Sequence, residues 1–248
     1  MLALEARGLV KEFRGFRAVD GVDLRVEAGV VHALVGPNGA GKTTLFNLLT
    51  GFLKPTAGGI WLAGEPITHL PPDRIARRGL ARSFQITSLF EQLSVLEHVV
   101  LALQAPSGLG YRFWQTERVL DRFRDEALAV LAQVGLDGLA ARPVHSLAYG
   151  QKRALELALV LAVRPRVLLL DEPTAGMGVE DEDRIIDLIG RVRAGRTVVL
   201  VEHNMGVVAR LADRVTVLQR GRVLAEGTYA EVRDDPRVID AYLGQTHA

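Results

Sequence analysis

Polar and apolar residues alternate through Val22-Asp23-Leu24-Arg25-Val26, the period-two signature of a strand with one buried face. Two β-rich runs open the chain, at Leu2–Val10 and Ala18–Val26. The pattern then changes. Val30–Val35 is almost wholly apolar, as expected of a strand covered on both faces, and leads through a glycine-rich turn into a helix predicted from about Thr43 to Thr50. Buried-strand signals return at Val167–Leu170, Thr197–Val201 and Val215–Leu218, with helical patterns at Glu180–Arg193 and Asn204–Leu211 between them. Strands alternating with helices predict a parallel, doubly covered sheet.

The middle of the chain differs. From about Ser94 to Val163 the pattern is mostly helical. Ser94 with Glu97, and Thr228 with Glu231, have the spacing of capping boxes. Pro72 followed by Gly79, and Pro236 followed by Gly244, fit helix starts and stops. No linker or internal repeat interrupts the chain. The expected organisation is therefore a single α/β domain over 1–248. Its core covers about 1–88 and 164–248, opens with an N-terminal antiparallel β subdomain, and is interrupted by a helical subdomain at about 89–163.

Composition narrows the class. The 248 residues include 30 basic and 29 acidic side chains, so the net charge of +1 shows neither a nucleic-acid patch nor an acidic tail. With 48% hydrophobic and 24% charged residues, the chain reads as an ordinary globular protein with a sizeable core. The absence of cysteine excludes disulfides, thiolate zinc sites and cysteine nucleophiles. No signal peptide is visible, and the apolar run after Glu156 stops at Arg164, short of the roughly 18 residues of a membrane span. A cytosolic, soluble chain is expected.

Gly36-Pro37-Asn38-Gly39-Ala40-Gly41-Lys42-Thr43 satisfies the pattern G-x-x-x-x-G-K-[ST] between a predicted strand and a predicted helix, with Thr44 completing the bend. Glycines allow backbone N–H groups to turn inward around phosphate oxygens, and the helix aims its positive end at the same anion. Lys42 can reach the outer phosphates, and the Thr43 hydroxyl can ligate Mg²⁺. Further along, the apolar run Val167–Leu170 ends in Asp171-Glu172. Asp171 suits a metal ion's water shell, and Glu172, projecting differently, can polarise an attacking water. Val198–Val201 runs into Glu202-His203-Asn204, a polar triplet at the carboxyl end of a strand, where parallel sheets bind ligands. His203 there can donate to a γ-phosphate.

With Ser146-Leu147-Ala148-Tyr149-Gly150-Gln151-Lys152-Arg153 between them, these motifs resemble the ATP-binding subunit of an ABC transporter over essentially the whole chain. The resemblance implies a RecA-like P-loop NTPase core and adds residues that spacing alone does not supply. Leu147, Ala148, Tyr149, Gly150 and Gln151 match the LSGGQ signature. Gln85, in Arg82-Ser83-Phe84-Gln85, matches the Q-loop that senses Mg²⁺ and the permease; Phe13 matches the aromatic that stacks on adenine, with Phe16 a nearby alternative. Glu172 matches the catalytic base and His203 the switch histidine. Two departures stand out: Ala148 and Tyr149 replace the signature serine and its first glycine, and Gly178 stands where the D-loop aspartate is expected.

Within the family, Gly51–Ala57, Ala81–Phe90, the LAYGQ form of the signature and the ending Ala241-Tyr242-Leu243-Gly244 resemble branched-chain amino-acid importer ATPases; urea importers and a lipopolysaccharide-export ATPase share part of this pattern. The resemblance implies ATP and Mg²⁺ as ligands. It also implies a second ATPase subunit, identical or sister, integral membrane permease subunits, an indirect link to a substrate-binding protein, and a position on the cytoplasmic face of the membrane. The segment Leu89–Gln104, with Tyr111-Arg112-Phe113-Trp114, is a candidate permease-docking surface, although packing within the helical subdomain accounts for it equally. A soluble ABC ATPase acting on DNA or ribosomes is the rival reading. Against it, about a hundred residues without heptads separate the P-loop and the signature, and the basic cluster Arg74, Arg77, Arg78 and Arg82 reads as a solvated helix face. No nucleic-acid partner is expected.

Overall fold

A computed structural model describes residues 1–83, 89–104 and 116–243. Gln85 and the Tyr111–Trp114 stretch lie outside the described residues, as does Gly244. Two compact units emerge, one comprising 1–82, 166–172 and 193–248, the other 83–165 and 173–192.

The first unit holds two sheets. Strand β1 (Leu2–Phe13) pairs antiparallel with β2 (Phe16–Glu27) across the Arg14-Gly15 turn, where both residues have positive φ. Strand β4 (Ala57–Leu62) pairs with β1 on its other side, and the short β5 (Glu65–Pro66) completes the antiparallel order β2-β1-β4-β5. Strand β4 escaped the sequence pattern because it begins Ala57-Gly58-Gly59, and glycine is a poor strand former. At Gly58 the reason is steric: a β-carbon there would meet the Gly8 carbonyl oxygen at 2.4 Å.

The second sheet contains β3 (Val31–Val35), β6 (Leu80–Arg82), β7 (Val167–Asp171), β8 (Thr197–Val201), β9 (Arg214–Gln219) and β10 (Arg222–Gly227), in the order β10-β9-β3-β8-β7-β6. All of its pairings are parallel except the β9–β10 hairpin. Every residue of β3, β7 and β8 is buried, which explains their largely apolar runs. Helix α1 (Lys42–Leu49) inserts Leu45, Phe46, Leu48 and Leu49 into a core shared with β1, β2, β3 and β7. Each of those side chains contributes about 1.5–3 kcal/mol by burial. A second cluster gathers Val215 and Val217 of β9 with Val208 of α7 (Met205–Leu211), Val232 of α8 (Tyr229–Arg233) and Val238 of α9 (Pro236–Leu243).

In the second unit, α3 (Val95–Gln104) buries Val95, His98, Val99, Val100 and Leu103, the face expected of a packing helix. Leu101 and Phe90 are exposed. Helices α4 (Thr116–Val134), α5 (Tyr149–Ala162) and α6 (Val179–Val192) complete it. Both predicted capping boxes form: Glu97 accepts from the Ser94 N–H and hydroxyl at 2.7 Å each, and Glu231 accepts from the Thr228 N–H at 2.7 Å.

A polar chain runs from buried His32 and Thr216 out to the exposed Glu226 and links β3, β9 and β10. Thr216 donates its hydroxyl proton to Glu226 at 3.1 Å, so the 2.7 Å contact from His32 Nε2 must be an N–H donated to Thr216. The buried His32 Nδ1 has no hydrogen-bond partner among the described residues to stabilise a second proton. Burial pushes its pKa down to about 4, partly opposed by Glu226. The unfolded chain takes up that proton near pH 6.5, so folding loses stability as pH falls from there toward 4. Between pH 7 and pH 5 the loss from His32 is about 2 kcal/mol. Urea midpoints at the two pH values measure it, and His32→Gln should remove most of the difference.

Candidate nucleotide-binding site

The bend between β3 and α1 is built from close backbone approaches. Gly36 has φ of 147°, and a β-carbon there would lie 2.2 Å from the Leu218 carbonyl oxygen of β9. Gly41, at φ 101°, would bring a β-carbon 2.4 Å from the Ala18 carbonyl oxygen of β2. Glycine is required at both places because neighbouring backbone occupies the space a side chain would need. The loop is pinned further by Ala40 N–H to Pro37 O at 3.1 Å and Gly221 N–H to Ala40 O at 2.9 Å.

Lys42 is buried, and its ammonium donates to the carbonyls of Gly36 at 2.6 Å and Pro37 at 3.1 Å. Burial holds it below the usual lysine range, with Glu172 and Asp171 pulling it back. A cation is thus fixed inside the loop beside the first turn of α1, where the helix dipole adds positive potential. Thr43 is exposed and Thr44 half-buried.

Asp171 and Glu172 end β7 in different environments. The Asp171 side chain is 2% exposed, whereas that of Glu172 is 27% exposed. Glu172 has φ of 46°, left-handed backbone that costs a non-glycine residue roughly 1–2 kcal/mol, and its N–H is held by Val201 O at 2.9 Å. The turn after β7 thereby aims two successive carboxylates in different directions.

The triplet after β8 divides its work. Glu202 is fully buried and accepts from the N–H groups of His203 at 3.1 Å and Asn204 at 3.4 Å. Asn204 caps α7, its side-chain oxygen accepting from Gly206 N–H at 2.9 Å. The exposed His203 faces Glu172, Nδ1 to Oε1 3.7 Å. Lys42, Asp171, Glu172 and His203 all belong to the first unit, as does Phe13. Phe13 and Phe16 face each other across the tip of the β1–β2 hairpin, both exposed, with Lys11 lying 5.0 Å from the Phe13 ring centre.

The signature residues lie in the second unit. Leu147 is buried and anchors the segment, and Ala148 precedes α5 without a side-chain cap. Gln151 folds back to accept from the Ala148 N–H at 3.0 Å. Tyr149 donates to Ala175 O at 3.1 Å and receives Arg153 at 3.2 Å, so the residue replacing a glycine ties the start of α5 to the Thr174–Gly178 turn. A β-carbon on Gly150 would lie 2.8 Å from Asp181 Oδ1, so the Asp181 side chain would have to move aside to admit one.

One expectation is corrected. Arg74 and Arg77 do lie on the exposed face of α2 (Pro72–Arg77), but Arg82 does not share it. It ends β6, its side chain is 11% exposed, and it binds Asp171 Oδ2 at 2.5 Å. The strand is three residues long, too short to signal itself against the flanking helical pattern.

A family profile described as ABC transporter matches residues 19–175, nearly two thirds of the chain and all of the motifs from the P-loop to Glu172. The chain belongs to the ABC transporter family. A second profile, Branched-chain amino acid ATP-binding cassette transporter, matches residues 222–248 of this ABC cassette. The high-affinity branched-chain amino acid transport ATP-binding protein BraF of Pseudomonas aeruginosa is 42% identical, over 98% of each chain. Among solved structures, an ATP-binding cassette of an ABC transporter in its ADP conformation superposes with a TM-score of 0.87 at 30% identity, covering 98% of this chain and 99% of that one. A dimeric post-hydrolysis cassette bound to ADP and Pi superposes at 0.76 with 25% identity, covering 91% and 98%. The α/β core with its antiparallel β subdomain is the architecture of the ATP-binding cassette. Among the described residues no helix is long and apolar enough to cross a membrane.

Proposed function

We propose that this cassette powers import of branched-chain amino acids by hydrolysing Mg-ATP as one of two ATPase subunits docked on membrane permease subunits at the cytoplasmic face. The observation that carries the hydrolytic reading is the convergence of Lys42, Asp171, Glu172 and His203 in one unit. The match of residues 222–248 to the branched-chain profile, together with the likeness to BraF, supports the substrate class. The dimeric relative supports two subunits.

The residues present fit magnesium and not a protein-only metal cage. Among the described residues no group of three or more His, Asp or Glu side chains can hold an ion. One exposed hydroxyl, Thr43, and one buried carboxylate, Asp171, are the sparse oxygen set that Mg²⁺ accepts when phosphates and waters supply the rest. Bound there, it would neutralise charge on the β- and γ-phosphates. Gln85 is proposed as a further oxygen donor by family likeness alone.

Lys42 and the loop N–H groups hold the β- and γ-phosphates, and Phe13 stacks on the adenine. Glu172 takes a proton from water as the water oxygen bonds to the γ-phosphorus; the bond from phosphorus to the bridging oxygen breaks, and ADP leaves with that electron pair. His203 holds the γ-phosphate in line. The signature, Leu147 to Gln151, closes over ATP of the opposite site, so that Lys42 faces Gly150 of the partner subunit. The uncapped start of α5 and the Gly150 N–H retain donors for that contact although Ala148 lacks a hydroxyl.

Deleting the coding gene in its host and following radiolabelled leucine and urea uptake tests the substrate class. Leucine uptake should be lost, with recovery on return of the intact gene but not of one carrying Glu172→Gln. Unaltered leucine uptake with loss of urea uptake would overturn the assignment.

A further inference from the structure

We infer that Arg82 is a positioning residue for the divalent metal of the ATPase site, acting by locking Asp171 to helix α1. The inference rests on the nucleotide-hydrolysing role proposed above. Asp171 closes β7 with its carboxylate almost wholly buried, a position that is costly for an uncompensated charge. Arg82 closes β6, the parallel neighbour of β7, in register with Leu169. Its Nη2 donates to Asp171 Oδ2 at 2.5 Å and its Nη1 to Asn47 Oδ1 at 2.5 Å. Its guanidinium carbon lies 5.5 Å from the centre of the Phe46 ring.

Asn47 and Phe46 belong to α1, the helix whose first turn carries Thr43. One rigid guanidinium therefore spans the two elements that carry the metal-holding oxygens, Thr43 and Asp171, and fixes their separation. A lysine could not do this, since its ammonium lacks the planar fork that reaches two acceptors in set directions. By occupying Oδ2, Arg82 also fixes the orientation of the remaining carboxylate oxygen. Such outer partners of a ligating carboxylate set its aim, and their loss typically costs roughly 10- to 100-fold in metal affinity.

A rival effect has the opposite sign. A cation beside Asp171 repels a second cation, so removing charge alone would tighten metal binding. Asn47→Ala separates the two effects, because it frees one arm of the fork and leaves the charge in place. The experiment uses the intact protein with ATP and follows manganese by its electron paramagnetic resonance signal, with ATP affinity in EDTA measured in parallel. Arg82→Gln should weaken manganese roughly 10- to 100-fold, and Asn47→Ala should weaken it by a smaller factor. ATP affinity in EDTA should stay within about twofold of the unmodified protein, since Lys42 and its loop are untouched.

Unchanged or tighter manganese in Asn47→Ala would overturn the inference, and that variant decides the matter if Arg82→Gln does not fold. A fall in melting temperature with metal affinity preserved would mark Arg82 as a structural ion pair. Absence of saturable manganese binding in the unmodified protein with ATP would instead overturn the hydrolytic reading.

Discussion

Glu172→Gln should bind Mg-ATP as tightly as the unmodified protein and hydrolyse it about 100- to 10,000-fold more slowly, the range that a positioned general base contributes. The amide has nearly the carboxylate's shape, so the left-handed backbone at 46° and the bond from its N–H to Val201 O are kept. What disappears is the carboxylate's basicity, which in the proposed mechanism takes the proton of water. With the neighbouring His203 intact, 3.7 Å away before substitution, nucleotide binding should be undisturbed and the ATP-bound dimer should accumulate. Single-turnover phosphate release and size-exclusion chromatography with ATP read both effects. Turnover within a few-fold of the unmodified protein would remove Glu172 from the role of base.

Lys42→Ala should act earlier. The ammonium is fixed by the carbonyls of Gly36 and Pro37 inside the loop, so its loss removes an attractive charge and also loosens the loop. A hydrogen bond to a charged group is worth about 1.5–3 kcal/mol, which converts to roughly 10- to 100-fold in nucleotide affinity. Because the charge serves ground state and transition state alike, affinity falls together with turnover. The contrast with Glu172→Gln, which spares affinity, separates a binding lysine from a catalytic carboxylate.

How far the sequence carried these assignments depended on pattern length. The P-loop was legible because its order, Gly36 to Thr43, is contiguous and sits between two strong elements. Strands β3, β7 and β8 were legible because burial on both faces writes a largely apolar run. Strands β4, β6 and β10 were not. The first begins with glycines, the second is three residues long, and the third is largely exposed, so none carries a periodic signal. Arg82 was misplaced for the same reason, since a residue on an unseen strand looks like one more member of the Arg74–Arg78 helix. One reason for the glycines was not legible: Gly36 and Gly41 are required by the carbonyls of Leu218 and Ala18, contacts between residues far apart in the chain. The partition of Glu202, His203 and Asn204 into a buried acceptor, an exposed neighbour of Glu172 and a helix cap was equally beyond sequence, since all three are polar and only burial and local contacts separate them.

The central claim is that the loop from Gly36 to Thr44 grips the triphosphate of ATP. Isothermal titration of Mg-ATP into the purified protein, alone and with its permease, tests it most directly. A saturable heat corresponding to one nucleotide per chain, weakened in Lys42→Ala, is the result this account predicts. No saturable binding in either preparation would contradict it.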